Sequence, residues 1–257
     1  MPGHNFKKKF GQNFLTDRKV SQKIASQIST DIDSIVEIGP GHGALTEELL
    51  KLGKKVYAIE IDEEVYPYLE GRFSEFEIFH LIKKDILQIN LNELNLGNYS
   101  VAGSLPYNIS KKIIFLFLTA QTKPNNMILL IQNEVAEDYA AKAPRATFLS
   151  NFAEIYSDVE YLSKVSKGKF FPSPKVDGGI LKFSVKDEPK NAAELRKLIK
   201  TGFSSPRKTV LNNLKSLYKE SLADIRELLK SHSISETVRP AELDIANWME
   251  IYSIAIR

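Results

Sequence analysis

The sequence predicts an α/β protein, a largely parallel sheet covered by helices on both faces, followed by a small all-α domain. Three observations carry this reading. Short apolar runs alternate with helical periods from residue 34 to about residue 142. A glycine-rich turn joins the first apolar run to its helix, and only helical periods remain after "GGILKFSVK". Strands separated by helices need crossover connections, which favour a parallel sheet buried on both sides.

The first strand is "SIVEIG" (34–39), followed by the turn "GPGHG" and the amphipathic "ALTEELLKLG". "KKVYAIEID" (54–62) is the second, and the helical spacing of "EEVYPYLEGRF" after it is expected to break at Pro67. "EIFHLIKKD" (77–85), "SVAGSL" (100–105) and "NNMILLIQNE" (125–134) supply three more strands, the last two leading into the helices "SKKIIFLFLTA" and "VAEDYAAK". "DVEYLSKVS" and "GGILKFSVK" flank the loop "KGKFFPSPKVD" and read as a closing β-pair. Pro189 marks a boundary, giving domains 1–185 and 186–257, with "SPRKTVLNNLKSLYK" and "ADIRELLKSH" as helices of the second.

Composition narrows the function. With 257 residues, 43% hydrophobic and 26% charged, the chain is an ordinary globular protein. It has no cysteine, which excludes disulfides and thiolate chemistry, and its four histidines lack metal-ligand spacing, so no metal is expected. "IIFLFL" and "MILLI" fall far short of the roughly 18 apolar residues a bilayer span needs. The start "MPGHNFKKKFGQNF" has no apolar signal core, so a cytoplasmic protein without membrane association is expected. Net charge is +3, yet residues 1–23, 164–182 and 195–219 together hold 18 of the 35 basic residues and two of the 32 acids. Acid-poor segments on an otherwise acidic chain point to a polyanionic partner.

The motifs sit at successive strand ends. In "VEIGPGHG", Gly39 and Gly41 permit close backbone approach where a strand turns into a helix, a place that cradles nucleotide-like ligands. Glu60, 21 residues beyond Gly39, ends the second strand, where a carboxylate can accept ribose hydroxyls. Asp85 ends the third, where it can accept from an adenine amino group, and Ser104-Leu105-Pro106-Tyr107 ends the fourth. Turn, carboxylate, carboxylate and Pro-aromatic is the series expected of an adenine-N methyltransferase that uses S-adenosylmethionine.

"FGQNFLTD", "VEIGPGHGALTEELL", "IEIDEE", "KKDIL", "SLPYNIS", "FFPSPKVD", "PRKTVLNNL" and "RPAELDI" resemble, in order, the motifs of the KsgA-type ribosomal RNA adenine N6-dimethyltransferases, from about residue 6 to about residue 250. The Erm enzymes, which methylate large-subunit rRNA, share the methyltransferase motifs, and "FFPSPKVDGG" with "PRKTVLNNL" lies closer to the KsgA side. The resemblance implies a Rossmann-like methyltransferase fold, S-adenosylmethionine as cofactor, and dimethylation of adenine N6 in small-subunit rRNA by a monomer. It places Asn13 and Leu15 over the cofactor, Gly39 under its methionine portion, Glu60 on its ribose and Asp85 on its adenine. It also implies that the Pro106 carbonyl accepts an N6 hydrogen, Tyr107 stacks on the flipped base and Phe170 covers its other face.

Ser104 departs from the family, which has Asn before Leu-Pro-Tyr; a carboxamide oxygen there accepts the other N6 hydrogen, beyond the reach of a serine hydroxyl. Retained activity, lost methylation with a role as a ribosome-assembly factor, and an engineered change all accommodate it. A large-subunit enzyme of Erm type is the runner-up, and a derivative resembling the mitochondrial transcription factors is a remote fourth. Arg207, Lys208 and Lys215 are expected to contact RNA, because a helix capped by Ser204-Ser205-Pro206 would carry cations in its first turn, where phosphates would offset them. His42 reads as a loop side chain and Trp248 as core.

Overall fold

A computed structural model of the protein describes residues 13–218 and 222–255. The basic run Lys7–Lys9 and the start of "FGQNFLTD" lie outside them. In chain order the first half comprises β1 (Phe14–Leu15), α1 (Arg18–Ala25), β2 (Ser34–Ile38), α2 (Ala44–Leu50), β3 (Lys55–Glu60), α3 (Tyr66–Phe73), β4 (Phe79–Lys83), β5 (Tyr99–Ser104), α4 (Ser110–Leu118) and β6 (Asn126–Gln132). The second comprises α5 (Asn133–Ala140), α6 (Phe148–Tyr156), β7 (Ser157–Val165), β8 (Phe170–Phe171), β9 (Gly178–Val185), α7 (Ala192–Gly202), α8 (Val210–Leu214), α9 (Leu222–Ser231) and α10 (Ile245–Ala255).

Seven strands form one sheet in the order β4-β3-β2-β5-β6-β9-β7. β2 to β6 run parallel, and β9 joins β6 antiparallel. All residues of β2 are buried, and β5 and β6 are buried up to their last residue, as strands covered on both faces must be. From β2 the chain builds outward through β3 and β4, then returns to place β5 on the other flank of β2. This reversal opens a crevice at the carboxyl ends of β2 and β5, the place where open α/β sheets bind ligands.

β1 and β8 form a separate two-stranded ribbon, with Leu15 opposite Phe170 and Phe14 opposite Phe171. Thr16 N–H donates to Lys169 O at 2.9 Å, and Lys169 pairs with Asp17. Two motifs more than 150 residues apart, "NFLTD" and "KFFPSP", are thereby held side by side.

The chain divides into two compact units, one running up to Ala136 and resuming over Glu160–Val185, the other made of Glu137–Val159 and the chain from Lys186 onward. The second unit therefore takes a segment from inside the expected 1–185 domain. That segment includes α6, which the sequence reading passes over. Its start signal is local: the Thr147 hydroxyl accepts from Ser150 N–H and the Ser150 hydroxyl from Thr147 N–H, both at 3.0 Å. Within this unit Ala146 N–H donates to Ala241 O at 2.9 Å, tying the segment to the C-terminal helices.

Two other expectations change. Pro67 does not break its helix but sits in the first turn of α3, where a missing N–H costs nothing. The helix expected from Ser204-Ser205-Pro206 begins only at Val210, with Thr209 as its N-cap. Arg207 and Lys208 thus lie ahead of the helix, and Lys215 caps its other end. The turn that carries them is pinned by Asn213, whose Nδ2 donates to Gly202 O at 2.6 Å and to Ser205 O at 3.1 Å. Trp248 is fully buried, and its ring occupies the space that a Cβ on Gly202 would need.

Candidate active site

A cavity of about 270 Å³ opens at the carboxyl ends of β2 to β5. Asn13, Leu15, Gly39, Gly41, Glu60, Asp85, Ser104, Leu105, Pro106, Tyr107 and Phe170 all line it, so every expected cofactor and substrate-base residue is brought together. Arg207, Lys208 and Lys215 do not; they belong to the second unit, where all three are exposed and, among the described residues, have no acidic partner.

The floor is the β2–α2 turn. Gly39 has φ +65° with open space where a side chain would be, and Gly41 has φ +54°. A Cβ on Gly41 would lie 2.5 Å from the Phe14 ring, so only glycine lets the N-terminal ribbon fold over the turn. Phe14 in turn stacks on His42 at 4.4 Å and 13°, which makes His42 part of the cavity rim.

Glu60 is held harder than its sequence position suggests. Its Oε1 accepts from Ile61 N–H and Asp62 N–H, both at 2.9 Å, and its Oε2 from Gly41 N–H at 3.2 Å. Burial raises its pKa, while these three donors pull the other way. With about four lone-pair positions on a carboxylate, one remains, on Oε2. That suits a single hydroxyl better than the pair expected. Asp85 caps the short 3₁₀ turn Ile86–Gln88 through Oδ1, which accepts from Leu87 N–H at 2.9 Å, and leaves Oδ2 for a ligand. Ile61, Ile86 and Leu87 line the cavity beside it, an apolar slot suited to a flat ring.

Glu37 is the residue the sequence reading missed. It lies inside β2, is 1% exposed, lines the cavity, and its Oε2 has no hydrogen-bond partner. Burial pushes its carboxyl up to about 8; the side chain and backbone of Thr46 pull the other way, and the nearby Glu60 charge adds to the rise. The signal was a lone acid in an otherwise apolar strand, "SIVEIG".

At the end of β5, Ser104 pairs with Leu130 of β6, and Leu105 N–H donates to Leu130 O at 2.9 Å. The Pro106 carbonyl accepts from Ile109 N–H at 3.2 Å and Ser110 N–H at 3.1 Å, which engages both its lone pairs in the turn into α4. It is therefore not the free acceptor expected for an adenine N6. Among the described residues no backbone N–H donates to the carbonyl one residue earlier, that of Leu105. Tyr107 is half-buried; its hydroxyl is buried without a partner, and burial, then the charge of Asp177, raises its pKa. Phe170 lines the cavity but is 5% exposed and packs into the core with Leu15, Leu130 and Ile180.

A doubly wound sheet with a glycine turn, two strand-end carboxylates and a Pro-Tyr strand end in one crevice defines a nucleotide-type methyltransferase. The chain belongs to the ribosomal RNA adenine dimethylase family, whose model matches residues 3–257. It is 36% identical to the ribosomal RNA small subunit methyltransferase A of Hahella chejuensis over 97% of this chain and 92% of that protein. It is 38% identical to the enzyme of the same name from Clostridium botulinum (strain Okra) over 86% and 85%. Among solved structures, the 23S rRNA methyltransferase ErmE superposes with TM-score 0.79 at 23% identity, covering 95% of this chain and all (100%) of that one. A Plasmodium falciparum dimethyladenosine transferase superposes with TM-score 0.76 at 24% identity, covering 93% and 95%. These two show the Rossmann-like methyltransferase fold. The protein is an enzyme of that fold acting on ribosomal RNA, and among the described residues no helix is long and apolar enough to cross a membrane.

Proposed function

We propose that the protein dimethylates adenine N6 in the RNA of the small ribosomal subunit, as a cytoplasmic monomer serving rRNA processing and ribosome biogenesis. The observation that carries this is the convergence of Glu60, Asp85 and Ser104–Tyr107 on one cavity at the sheet's switch point. The residues fit S-adenosylmethionine: the glycine turn leaves backbone room, Oε2 of Glu60 and Oδ2 of Asp85 remain open, and the buried, unpartnered Oε2 of Glu37 suits a cationic amine. Bound there, the sulfonium supplies the activated methyl group.

The chain's own residues prepare the nucleophile. An exocyclic adenine amine has its lone pair delocalised into the ring, and acceptors that take its hydrogens out of plane make that pair available. The Leu105 carbonyl is the open backbone acceptor at this strand end, the shorter Ser104 hydroxyl stands beside it, and Tyr107 and Phe170 supply aromatic walls. Catalysis is then positioning. Leu15, held in the β1–β8 ribbon, and the adjoining Asn13 line the cavity where they can close over the cofactor.

Immature small subunits incubated with S-adenosylmethionine should acquire dimethyladenine in their rRNA, read by mass spectrometry. Product only on large-subunit rRNA transfers the activity to the Erm type. No product on either subunit despite tight RNA binding would overturn the reading and point to the serine at 104 as the cause. Exposed Arg207, Lys208 and Lys215 serve as a separate RNA grip. Reversing all three to Glu should weaken RNA binding and flatten its salt dependence without changing cofactor affinity; an unchanged slope makes them solvated surface.

A further inference from the structure

The loop that carries Phe170 also walls a second cavity, of about 360 Å³, lined by Gln132, Asn133 and Glu134 from the β6–α5 junction and by Lys164, Lys167, Lys175, Val176 and Asp177. Asp177 is its brace. Its Oδ1 accepts from Lys167 N–H at 2.9 Å, its Oδ2 pairs with Lys164 Nζ at 3.0 Å, and its backbone carbonyl accepts from Asn133 N–H at 3.0 Å. These contacts occupy the Asp177 charge. Among the described residues the ammonium groups of Lys167 and Lys175 then have no acidic partner within ion-pair distance, and Glu134 is the one other acid in the lining. The wall is net positive, with three exposed lysines set around a concave lining against two carboxylates.

Its position ties it to the adenine pocket. Lys167 is three residues before Phe170, within roughly 10 Å along an extended chain. Phe170 points inward at 5% exposure and Phe171 outward at 52%, as alternation in β8 requires, so the segment that carries Lys167 and Lys175 also presents an exposed aromatic between them. Basic side chains interleaved with an exposed aromatic suit a single nucleic-acid strand. The charge of Asp177 is also felt at the Tyr107 hydroxyl, which places the brace near the base platform.

We propose that this cavity is a phosphate site for the RNA strand, in which Lys167 and Lys175 hold the backbone phosphate of a nucleotide adjoining the adenine presented to Tyr107. The assignment rests on the RNA-methyltransferase reading and adds a site on the catalytic unit, distinct from the basic segment of the helical unit.

The test uses the full-length enzyme and small-subunit rRNA. In K167Q/K175Q the slope of log affinity against log salt should shrink by about 0.7 for a single-stranded contact, with affinity down several-fold. K167R/K175R should keep the parent slope, and S-adenosylmethionine affinity, by calorimetry, should match the parent in both. A short synthetic RNA with a neutral methylphosphonate at one linkage beside the target adenine should then lose affinity for the parent but not for K167Q/K175Q. A parent that binds RNA while K167Q/K175Q keeps its slope overturns the site and leaves the RNA-methyltransferase reading standing. A methylphosphonate penalty equal in parent and variant also overturns it. A parent that binds no ribosomal RNA overturns both.

Discussion

The two halves of the strand-end cavity are built to different standards. On the β3 and β4 side, Glu60 is fixed by three backbone N–H groups and Asp85 by one, so their remaining oxygens are aimed before any ligand arrives. On the β5 side, Ser104 offers a short hydroxyl, Pro106 has its carbonyl engaged in a turn, and the Tyr107 hydroxyl is buried without a partner. On the proposed assignment, the half that would hold the cofactor is preorganised and the half that would hold the adenine leaves its polar groups unfilled. Rigidity in one half and unfilled valences in the other fit a protein that binds a small cofactor tightly and completes its substrate pocket only on a large partner.

The largest effect that could break this contrast is at Glu60. Glu60→Ala removes the proposed ribose acceptor and leaves three backbone donors without their partner, and should weaken S-adenosylmethionine binding by about 1.5–3 kcal/mol. Titration calorimetry on the folded variant, checked by circular dichroism, reads it. Unchanged affinity would remove Glu60 from the cofactor site and with it the claim that this half is preorganised.

Glu37 sharpens the contrast, because its buried Oε2 accepts no hydrogen bond, whereas Glu60 and Asp85 are each anchored by backbone N–H groups. Its folded pKa of about 8 lies above the ordinary value of 4.5, so between those values the folded state holds a proton that the unfolded state has lost. The stability of the ligand-free protein should therefore fall as pH rises through that window, by on the order of 1.4 kcal/mol per pH unit. Glu37→Gln should remove that slope and be more stable than the parent above the window, read by urea unfolding from pH 5 to pH 9. A cationic amine beside Glu37 favours its ionised form, so cofactor binding at pH 7 should release a proton. Calorimetry in buffers of different ionisation enthalpy should detect this in the parent and not in Glu37→Gln. Parallel stability curves would mean that Glu37 ionises normally.

Why some of this was legible in the sequence follows from where each signal is stored. The five parallel strands, the glycine turn and the two strand-end carboxylates rest on contiguous patterns of apolar period and turn chemistry, and the structure places them within a residue or two of expectation. The β1–β8 ribbon is not contiguous; nothing in "NFL" or "FF" alone says that residue 15 faces residue 170. Pro67 and Arg207 failed for the opposite reason, that a local rule was applied one turn out of place. Proline is a breaker inside a helix and a good starter at its first turn, and three residues of offset decide whether Arg207 opposes a helix dipole or precedes it. The inclusion of 137–159 in the helical unit depends on packing between distant segments, as in the bond from Ala146 to Ala241.

The smallest expected effect tests the substrate half most directly. Ser104→Asn restores the family's carboxamide at the last residue of β5, next to the open Leu105 carbonyl. A second acceptor on N6 adds a hydrogen bond that strengthens as the nitrogen becomes tetrahedral, so it should appear in the single-turnover rate and not in RNA affinity. At about 1 kcal/mol the gain is roughly fivefold. Tyr107→Ala should slow the parent and the Ser104→Asn variant by the same factor, since stacking holds the base independently of the acceptor. A rate that Ser104→Asn leaves unchanged or lowers would mean that serine already fits this pocket, with its hydroxyl or a neighbouring group holding N6. The β5 side would then be as finished as the β3 side, and the contrast between the halves would fail at the residue that defines it.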